Sequence, residues 1–399
     1  MTAPPEDSRV QLTESALLEL AEQETGLRSF GEEDFRTGLR ILLESAQREA
    51  NLSLIGKQTL QQDCLRWLTN RLKIEDNLTR YPEILTTPLR RPLFIVCLPR
   101  TGSTLLHRLL SQDEQARAPL FWELWRPSPP PRTQTRLSDP RIAQLEEEHV
   151  RSIQRLFPDV LSMHAVEASA PEECFFLLQN SFVSYSTSFF YDIPSYQEWV
   201  RTLDLVPSYR YYKKQLQLLS WQCFGEPWIL KNPEHLLSLE AILQVFPDAA
   251  IVQVHRDPKV AVASLCSLQH SVLNLWRESP LPPESIGERI LHKWQFPVTR
   301  SMQVRAQANE RQFYDLDYSD LVTDPIGSIR RLYGYFGYEL TTGSVSRMQS
   351  WLTNNPQHKH GKHDYTLETY GVTPDQVDDA FADYVKAFGF QGQQGRKRA

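Results

Sequence analysis

The N-terminal part of the chain carries apolar residues at three- and four-residue spacing, separated by charged residues. Leu39 and Leu42 are examples of this pattern. The spacing matches one face of an α-helix and predicts helices from Glu14 to about Tyr81. We therefore expect residues 1–90 to form a helical N-terminal region.

After Pro92 the pattern changes to short apolar runs, which are typical of strands buried on both faces of a parallel sheet. The runs are Leu93–Cys97, Trp228–Leu230 and Ala250–Val254, and Phe313–Tyr318 resembles a further strand. Helical patterns at His235–Phe246 and Ile326–Phe336 alternate with these runs. The order predicts an α/β fold with a central parallel sheet.

A long insertion, roughly residues 120–225, separates the first run from the second. It opens with a proline-rich break at Pro127–Pro131 and is rich in aromatic residues such as Tyr185, Phe189 and Phe190. We interpret the insertion as helical and as a cap over the acceptor side of a site. Plain core packing is the alternative explanation for the same aromatic residues.

Composition narrows the class of protein. Of the 399 residues, 41% are apolar and 23% are charged, which is the balance of an ordinary globular enzyme. The net charge of -6 argues against nonspecific binding to nucleic acid, so any basic ligand site must be local. The five cysteines form no CxxC pair, which indicates neither a disulfide framework nor a zinc cluster.

The chain shows no pattern of a signal peptide or of a transmembrane span. Together with the scattered cysteines, this predicts a cytoplasmic protein in a reducing compartment. The basic tail at 391–399, which contains Arg396, Lys397 and Arg398, is expected to be a soluble terminus.

The segment after the first strand combines small, hydroxyl and basic residues at the start of a predicted helix. In order these are Pro99, Arg100, Thr101, Gly102, Ser103 and Thr104. Exposed backbone N–H groups at a helix start, together with the helix dipole, form an anion site. Gly102 permits a tight backbone turn there, and Arg100 adds a planar cation that suits phosphate or sulfate oxygens.

A nucleotide kinase would carry the loop GxxxxGK[ST] at this position. When its second glycine is placed on Gly102, Cys97 stands where the first glycine belongs and Ser103 stands where the lysine belongs. Both departures count against ATP or GTP hydrolysis, although a small-molecule kinase remains an alternative.

The loop resembles that of the sulfotransferases that use 3′-phosphoadenosine-5′-phosphosulfate (PAPS), which has the form Pro-(Lys/Arg)-(Ser/Thr)-Gly-(Ser/Thr)-Thr. The resemblance implies a P-loop-like three-layer fold over residues 91–390, with PAPS as co-substrate and no metal. It also implies transfer of a sulfuryl group to a hydroxyl or amine acceptor, which gives 3′,5′-ADP. A non-catalytic nucleotide-binding protein of the same fold is the second alternative.

A second anchor lies about 150 residues downstream. Arg256 follows a strand, and Ser264 lies two helical turns further on, so both could reach one phosphate at the carboxyl edge of the sheet. The family resemblance assigns this pair to the 3′-phosphate of the donor. Tyr318 looks like the tyrosine of the family's Tyr-Glu-Asp-Leu segment, which lies near the nucleotide.

A basic glycine-containing segment near the C-terminus resembles the loop that closes over the 3′-phosphate in cytosolic sulfotransferases. Its expected contacts are Lys359, Gly361 and Lys362. The nearby histidines could instead suggest a metal site, but no carboxylate or cysteine completes a ligand set and the lysines would repel a cation. These histidines are His358, His360 and His363.

Catalysis of sulfuryl transfer needs cationic groups for the leaving nucleotide and a base for the acceptor. Lys231, which follows the second strand, resembles the lysine that assists the departing phosphate in tyrosylprotein sulfotransferases, and Arg100 can share this role. A plain surface lysine is the alternative for Lys231.

Those enzymes keep their glutamate base after the loop helix, and Glu123 occupies a comparable position, so Glu123 is the first candidate base. An ordinary structural carboxylate is the alternative. The reserve candidates are His164, Glu167, Glu172 and Glu173. His107 is expected to pack on the loop helix.

The acceptor itself carries no readable motif. Aromatic residues in the insertion favour a small apolar, phenolic or lipid-like molecule. Core packing explains the same residues, so this preference is weak.

Overall fold

The computed structural model describes residues 10–151, 166–356 and 366–390. The strands are β1 (Leu93–Cys97), β2 (Ile229–Lys231), β3 (Ala250–His255) and β4 (Phe313–Asp317). The helices before β2 are α1 (Glu14–Thr25), α2 (Phe35–Glu49), α3 (Leu54–Arg80), α4 (Ser103–Leu110), α5 (Phe121–Trp125), α6 (Pro140–Leu145), α7 (Phe175–Gln179), α8 (Thr187–Phe190), α9 (Pro194–Arg201) and α10 (Val206–Trp221).

The helices after β2 are α11 (Leu239–Val245), α12 (Pro258–Asn274), α13 (Ile286–Arg305), α14 (Tyr318–Thr323), α15 (Pro325–Phe336), α16 (Thr342–Asn354), α17 (Pro374–Ala380) and α18 (Ala382–Phe388). Short 3-10 helices cover Pro82–Thr86, Pro233–Leu236, Pro283–Ser285, Glu310–Gln312 and Glu368–Tyr370, and a π-helical turn covers Glu146–Val150.

The four strands form one parallel sheet in the order β2-β1-β3-β4. Every residue of β1, β2 and β3 is buried, which explains why these segments are unbroken apolar runs in the sequence. The predicted α/β fold with a central parallel sheet is therefore confirmed. The prediction for the last strand was one residue too long: Asp317 caps the next helix by accepting from the Ser319 N–H, so Tyr318 opens α14.

The strand order creates a crevice at the carboxyl edge of β1 and β3. From β1 the chain passes to β2 on one side, whereas β3 lies on the other side and leads on to β4. Ligands of open α/β sheets bind where the strand order reverses in this way. The loops after β1 and β3, which carry Arg100 and Arg256, both open into this crevice.

The predicted N-terminal helices are present, and they pack against the insertion in a shared hydrophobic cluster. The Trp67 ring on α3 meets Phe182 edge-on at 5.4 Å between centroids. A Cβ at Gly38 would lie 2.2 Å from the Phe182 carbonyl oxygen, so α2 approaches the insertion backbone closely. The described part of the insertion is mainly helical, as predicted, and many of its aromatic residues serve core packing.

No helix in the described parts of the chain is long and apolar enough to cross a membrane. The division into residues 1–90, 91–390 and 391–399 stays a prediction, and the basic tail lies outside the described residues.

Candidate active site

The loop after β1 is shaped by two residues with positive φ. Arg100 has φ of 70° and Gly102 has φ of 88°, and the Thr101 hydroxyl donates to the Leu98 carbonyl at 2.9 Å. A Cβ at Gly102 would lie 2.6 Å from the Tyr318 ring, so glycine is required by both backbone conformation and space. The turn leads directly into α4 at Ser103, whose N-terminus faces the crevice with its backbone N–H groups.

Four predicted donor-binding residues meet at this loop: Arg100, Arg256, Ser264 and Tyr318. The Arg100 Nε donates to the Ser264 hydroxyl at 3.0 Å, and the Arg256 Nη1 donates to the Arg100 carbonyl at 2.8 Å. The Arg256 guanidinium also lies over the Tyr318 ring, 4.2 Å from its centroid. Asp257 begins α12 by accepting from the Lys259 N–H at 2.9 Å, which fixes Arg256 at the junction of strand and helix. The structure thus brings two cations and a hydroxyl from distant segments into one corner.

Lys231 ends β2 at the same edge of the sheet and is not a surface residue, because its side chain is only 4% exposed. Its Nζ donates to the Thr104 hydroxyl at 3.4 Å and forms an ion pair with Glu173. Thr104 belongs to the first turn of α4, so Lys231 contacts the same helix start that follows the Arg100 loop. The alternative of an ordinary surface lysine is wrong for this position.

Glu173 is held beside Lys231 by the backbone of its own segment. The Cys174 N–H donates to the Lys231 carbonyl at 3.0 Å. The Glu173 N–H donates to the carboxylate of buried Glu172 at 2.8 Å. The Glu173 side chain retains 18% exposure, so it can still reach a molecule in the crevice.

Glu123, by contrast, lies in a closed ion-pair cluster. Its side chain has no exposure, and its two oxygens accept from Arg117 at 2.8 and 2.9 Å, from Arg136 at 2.9 Å and from the Leu120 N–H at 2.8 Å. Burial alone would raise the pKa of Glu123, but the two guanidinium groups outweigh it and lower the pKa to about 2. These surroundings do not support the expectation that Glu123 is the acceptor base.

The other candidate bases differ in their surroundings. Burial, reinforced by the charge of Lys231, lowers the pKa of His107 to about 3, so this histidine is neutral. It lies on the buried face of the loop helix α4, which agrees with the expected packing role. Glu167 is exposed. His164 and the C-terminal segment with Lys359, Gly361 and Lys362 lie outside the described residues. Within the described ranges, no group of three or more histidine, cysteine, aspartate or glutamate side chains is placed to hold a metal ion.

An aromatic wall follows Glu173 along the chain. Phe176 stacks on Phe175 and lies 5.6 Å from the Trp125 ring. Arg66, from the N-terminal helix α3, lies flat over Trp125 with 3.7 Å between its guanidinium carbon and the ring centroid. Sequence reasoning missed Arg66, since a cation in an amphipathic helix carries no signal of what it faces.

Comparisons with known proteins agree with this geometry. The model of the sulfotransferase family matches residues 92–342. The chain is 25% identical over 304 residues to the omega-hydroxy-beta-dihydromenaquinone-9 sulfotransferase Stf3 of Mycobacterium bovis, a match that covers 75% of each chain.

Two solved structures are similar over nearly their whole length. The sulfotransferase STF1 from Mycobacterium tuberculosis shares 32% identity with a TM-score of 0.83, covering 93% of this chain and 98% of that one. The sulfotransferase STF9 from Mycobacterium avium shares 30% identity with a TM-score of 0.87, covering 96% and 98%. The family match spans the sheet and the corner where Arg100, Arg256 and Ser264 meet, and the chain therefore belongs to the sulfotransferase family.

Proposed function

We propose that this sulfotransferase takes its sulfuryl group from PAPS and binds the donor across the carboxyl ends of β1 and β3. The convergence of Arg100, Arg256 and Ser264 at one corner is the observation that carries the proposal. The α4 N-terminus and Arg100 would hold the 5′-phosphosulfate, while Arg256 and Ser264 would hold the 3′-phosphate. Lys359, Gly361 and Lys362 would complete the donor site.

Lys231 is proposed to stabilise the leaving nucleotide. Negative charge develops on the oxygen that bridges sulfur and phosphorus as the bond between sulfur and this oxygen breaks. A buried ammonium group beside the anion site offsets this charge. The contact between Lys231 and Thr104 supports the assignment, because Thr104 lies in the turn that would face the 5′-phosphosulfate. Arg100 adds a second cation at the same end.

Glu173, rather than Glu123, is proposed as the general base. In the reaction the acceptor hydroxyl would lose its proton to the Glu173 carboxylate as the acceptor oxygen forms a bond to sulfur. The bond from sulfur to the phosphate oxygen breaks at the same time, and 3′,5′-ADP leaves. Support comes from the exposed edge of Glu173 and its pairing with Lys231, which place base and leaving-group cation side by side.

Kinase activity is not favoured, because Ser103 occupies the position of the kinase lysine. A non-catalytic nucleotide-binding protein is disfavoured because the chain carries a candidate for the leaving-group cation, Lys231, and a candidate for the base, Glu173. We also propose that no metal takes part, since Arg100, Arg256 and Lys231 supply the positive charge that a metal would otherwise provide.

The acceptor is proposed to be an aromatic or lipid-like hydroxyl compound. Three observations support this class: Phe175 and Phe176 lie two and three residues after the proposed base, Trp125 contacts Phe176, and the Arg66 guanidinium lies over Trp125. The Nε and Nη1 of Arg66 are buried without a hydrogen-bond partner among the described residues. They can therefore donate to an oxygen of the molecule that receives the sulfuryl group. The name of the Mycobacterium bovis relative records a menaquinone derivative with a hydroxyl group as its substrate.

An acceptor screen with ³⁵S-labelled PAPS tests the proposal. The panel should contain phenols, hydroxylated quinones, fatty alcohols and simple sugars, and each reaction should contain EDTA. We expect label in the phenol or hydroxyquinone fractions and stoichiometric 3′,5′-ADP. Label only in sugars would contradict the acceptor class, and no transfer without added magnesium would contradict metal independence.

A further inference from the structure

A second cavity lies between α8, α9, α12 and α13. Its volume is about 80 Å³, and its lining includes Ser188, Gln197, Gln269, Ile290 and Lys293. A cavity needs about 10–15 Å³ by this measure to hold one water molecule, so this one has room for a ligand of a few non-hydrogen atoms. Its lining residues differ from all of those assigned to the donor or the acceptor.

Lys293 supplies an unmatched donor to this cavity. The residue is 3% exposed, and its Nζ has no hydrogen-bond acceptor among the described residues. The rings of Tyr185 and Phe189 lie 5.5 and 5.8 Å from the Nζ, while the Tyr185 hydroxyl donates to the Lys293 carbonyl at 2.5 Å and fixes the backbone. A buried ammonium group without an acceptor is costly, and a bound anion would offset that cost.

Gln269 supplies an unmatched acceptor. Its Nε2 donates to the Ser188 carbonyl at 3.2 Å. A carbonyl oxygen can only accept, so this bond fixes which end of the amide is the nitrogen. The Gln269 Oε1 therefore points the other way, and it is buried without a donor among the described residues. The cavity thus presents one cationic donor and one neutral acceptor.

The acidic groups near Lys293 are already bonded elsewhere. Glu234 accepts from the Ser184 hydroxyl and from the backbone N–H groups of Tyr185 and Ser186. Asp192 accepts from Arg277 at 2.9 Å and from Arg289 at 2.6 Å.

The positive groups at the cavity favour an anion. Arg289 lines it and is exposed, and Arg201 donates to the Lys293 carbonyl at 3.2 Å. An anion would therefore enter past arginines, and the Asp192 carboxylate that lines the cavity is already paired with two of them.

We propose that this cavity binds a small hydroxycarboxylate, with its carboxylate on the Lys293 ammonium group and its hydroxyl donating to the Gln269 Oε1. A simple carboxylate satisfies Lys293 but leaves Gln269 without a partner, whereas a hydroxycarboxylate satisfies both. The site is independent of the proposed transfer reaction, since it shares only helix α12 with Ser264.

Binding should depend on pH because burial disfavours the charged form of Lys293. Burial lowers the pKa of Lys293 to about 7, even though Glu234 opposes the shift. The bound carboxylate stabilises the ammonium form, so binding above pH 7 takes up a proton. We expect the affinity to fall about 25-fold between pH 6.5 and pH 8.5, as the ammonium fraction of the free site falls.

Isothermal titration calorimetry tests the proposal with glycolate and propionate, which have the same number of non-hydrogen atoms and differ in a hydroxyl against a methyl group. Saturating 3′,5′-ADP should be present so that neither glycolate nor propionate binds at the proposed donor site. The full-length protein should bind glycolate at least tenfold more tightly than propionate. Lys293→Met should abolish this binding, whereas Lys57→Met, on the exposed face of α3, should leave it unchanged.

Gln269→Glu provides a second test if Lys293→Met fails to fold. It keeps the lysine but adds a negative charge that competes for the Lys293 ammonium group and repels the glycolate carboxylate, so glycolate affinity should drop at least tenfold. Equal glycolate binding in the parent and either folded variant, or no glycolate binding at millimolar concentration, would overturn the proposal. Arg256→Ala should retain glycolate binding, because Arg256 does not line the cavity. Glycolate binding therefore tests the cavity, and 3′,5′-ADP binding tests the donor assignment separately.

Discussion

Lys231 and Glu173 form an ion pair at the carboxyl end of β2, although they stand 58 positions apart in the chain. The Lys231 side chain is 4% exposed and the Glu173 side chain 18% exposed, so the carboxylate is the more accessible of the two groups. A backbone hydrogen bond from Cys174 to the Lys231 carbonyl keeps the two segments in register. The pair therefore joins the proposed leaving-group cation to the proposed base in one rigid unit.

Lys231→Met should lower turnover without preventing donor binding. The substitution keeps the aliphatic stem but removes the charge that meets the developing negative charge, and loss of one such donor costs about 10²- to 10³-fold in kcat. Single-turnover rates with PAPS and Kd values for 3′,5′-ADP measure the two effects separately. A fall in nucleotide affinity that accounts for the whole loss would show that Lys231 only binds the donor.

Arg256→Ala should weaken binding of 3′,5′-ADP. It removes a charged hydrogen-bond donor from the proposed 3′-phosphate corner and the support for the Arg100 carbonyl, which corresponds to about 10- to 100-fold in Kd. Arg330→Ala, on the exposed face of α15, is the matched control and should bind normally. The titration should be repeated with 5′-AMP, which lacks the 3′-phosphate. If Arg256→Ala weakened both nucleotides equally, the 3′-phosphate assignment would be wrong.

Gly102→Ala should disrupt the donor loop. The residue has φ of 88°, and the added Cβ would lie 2.6 Å from the Tyr318 ring, so both backbone strain and a clash arise. The predicted result is a loss of 3′,5′-ADP affinity of at least tenfold in a protein that still folds. Gly334→Ala is the control, because a Cβ there meets no atom within 4 Å. Unchanged nucleotide binding in Gly102→Ala would contradict the assigned role of the loop.

Glu123→Gln should affect stability rather than chemistry. It leaves Arg117 and Arg136 without their carboxylate in a buried cluster, which costs about 3 to 5 kcal/mol of unfolding free energy. The thermal midpoint should fall, while turnover per folded molecule should stay within about threefold. Loss of turnover without loss of stability would restore Glu123 as the candidate base.

Glu123 should also shape the acid stability of the protein. Its pKa in the folded protein is about 2, below the ordinary value of 4.5, so it contributes stability above pH 4.5 that is lost as the pH falls toward 2. The parent protein should lose stability over this window more steeply than Glu123→Gln. Chemical denaturation at pH 5 and at pH 3 measures the difference, and parallel losses would contradict it.

The sequence predicted the sheet and the meeting of Arg100 with Arg256 and Ser264, because both leave local signals. Buried parallel strands are unbroken apolar runs, and Gly102 with its hydroxyl neighbours marks an anion site at a helix start. Arg256 could be placed because it follows a strand directly.

Long-range contacts leave no such signal. The order of residues placed Glu123 after the loop helix, but it could not show that Arg117 and Arg136 close around its carboxylate. The ion pair of Lys231 with Glu173 and the lack of a hydrogen-bond acceptor for the Lys293 Nζ among the described residues depend in the same way on how distant segments pack.

Turnover of Glu173→Gln tests the account most directly, because this change keeps the shape of the side chain and removes only its ability to take a proton. The measurement is the rate of ³⁵S transfer from PAPS to the acceptor found in the screen, alongside the Kd for 3′,5′-ADP. We predict at least a 100-fold fall in kcat with an unchanged Kd, as expected for loss of a general base. Turnover within threefold of the parent would contradict the assignment of Glu173 and the proposed role of its pair with Lys231.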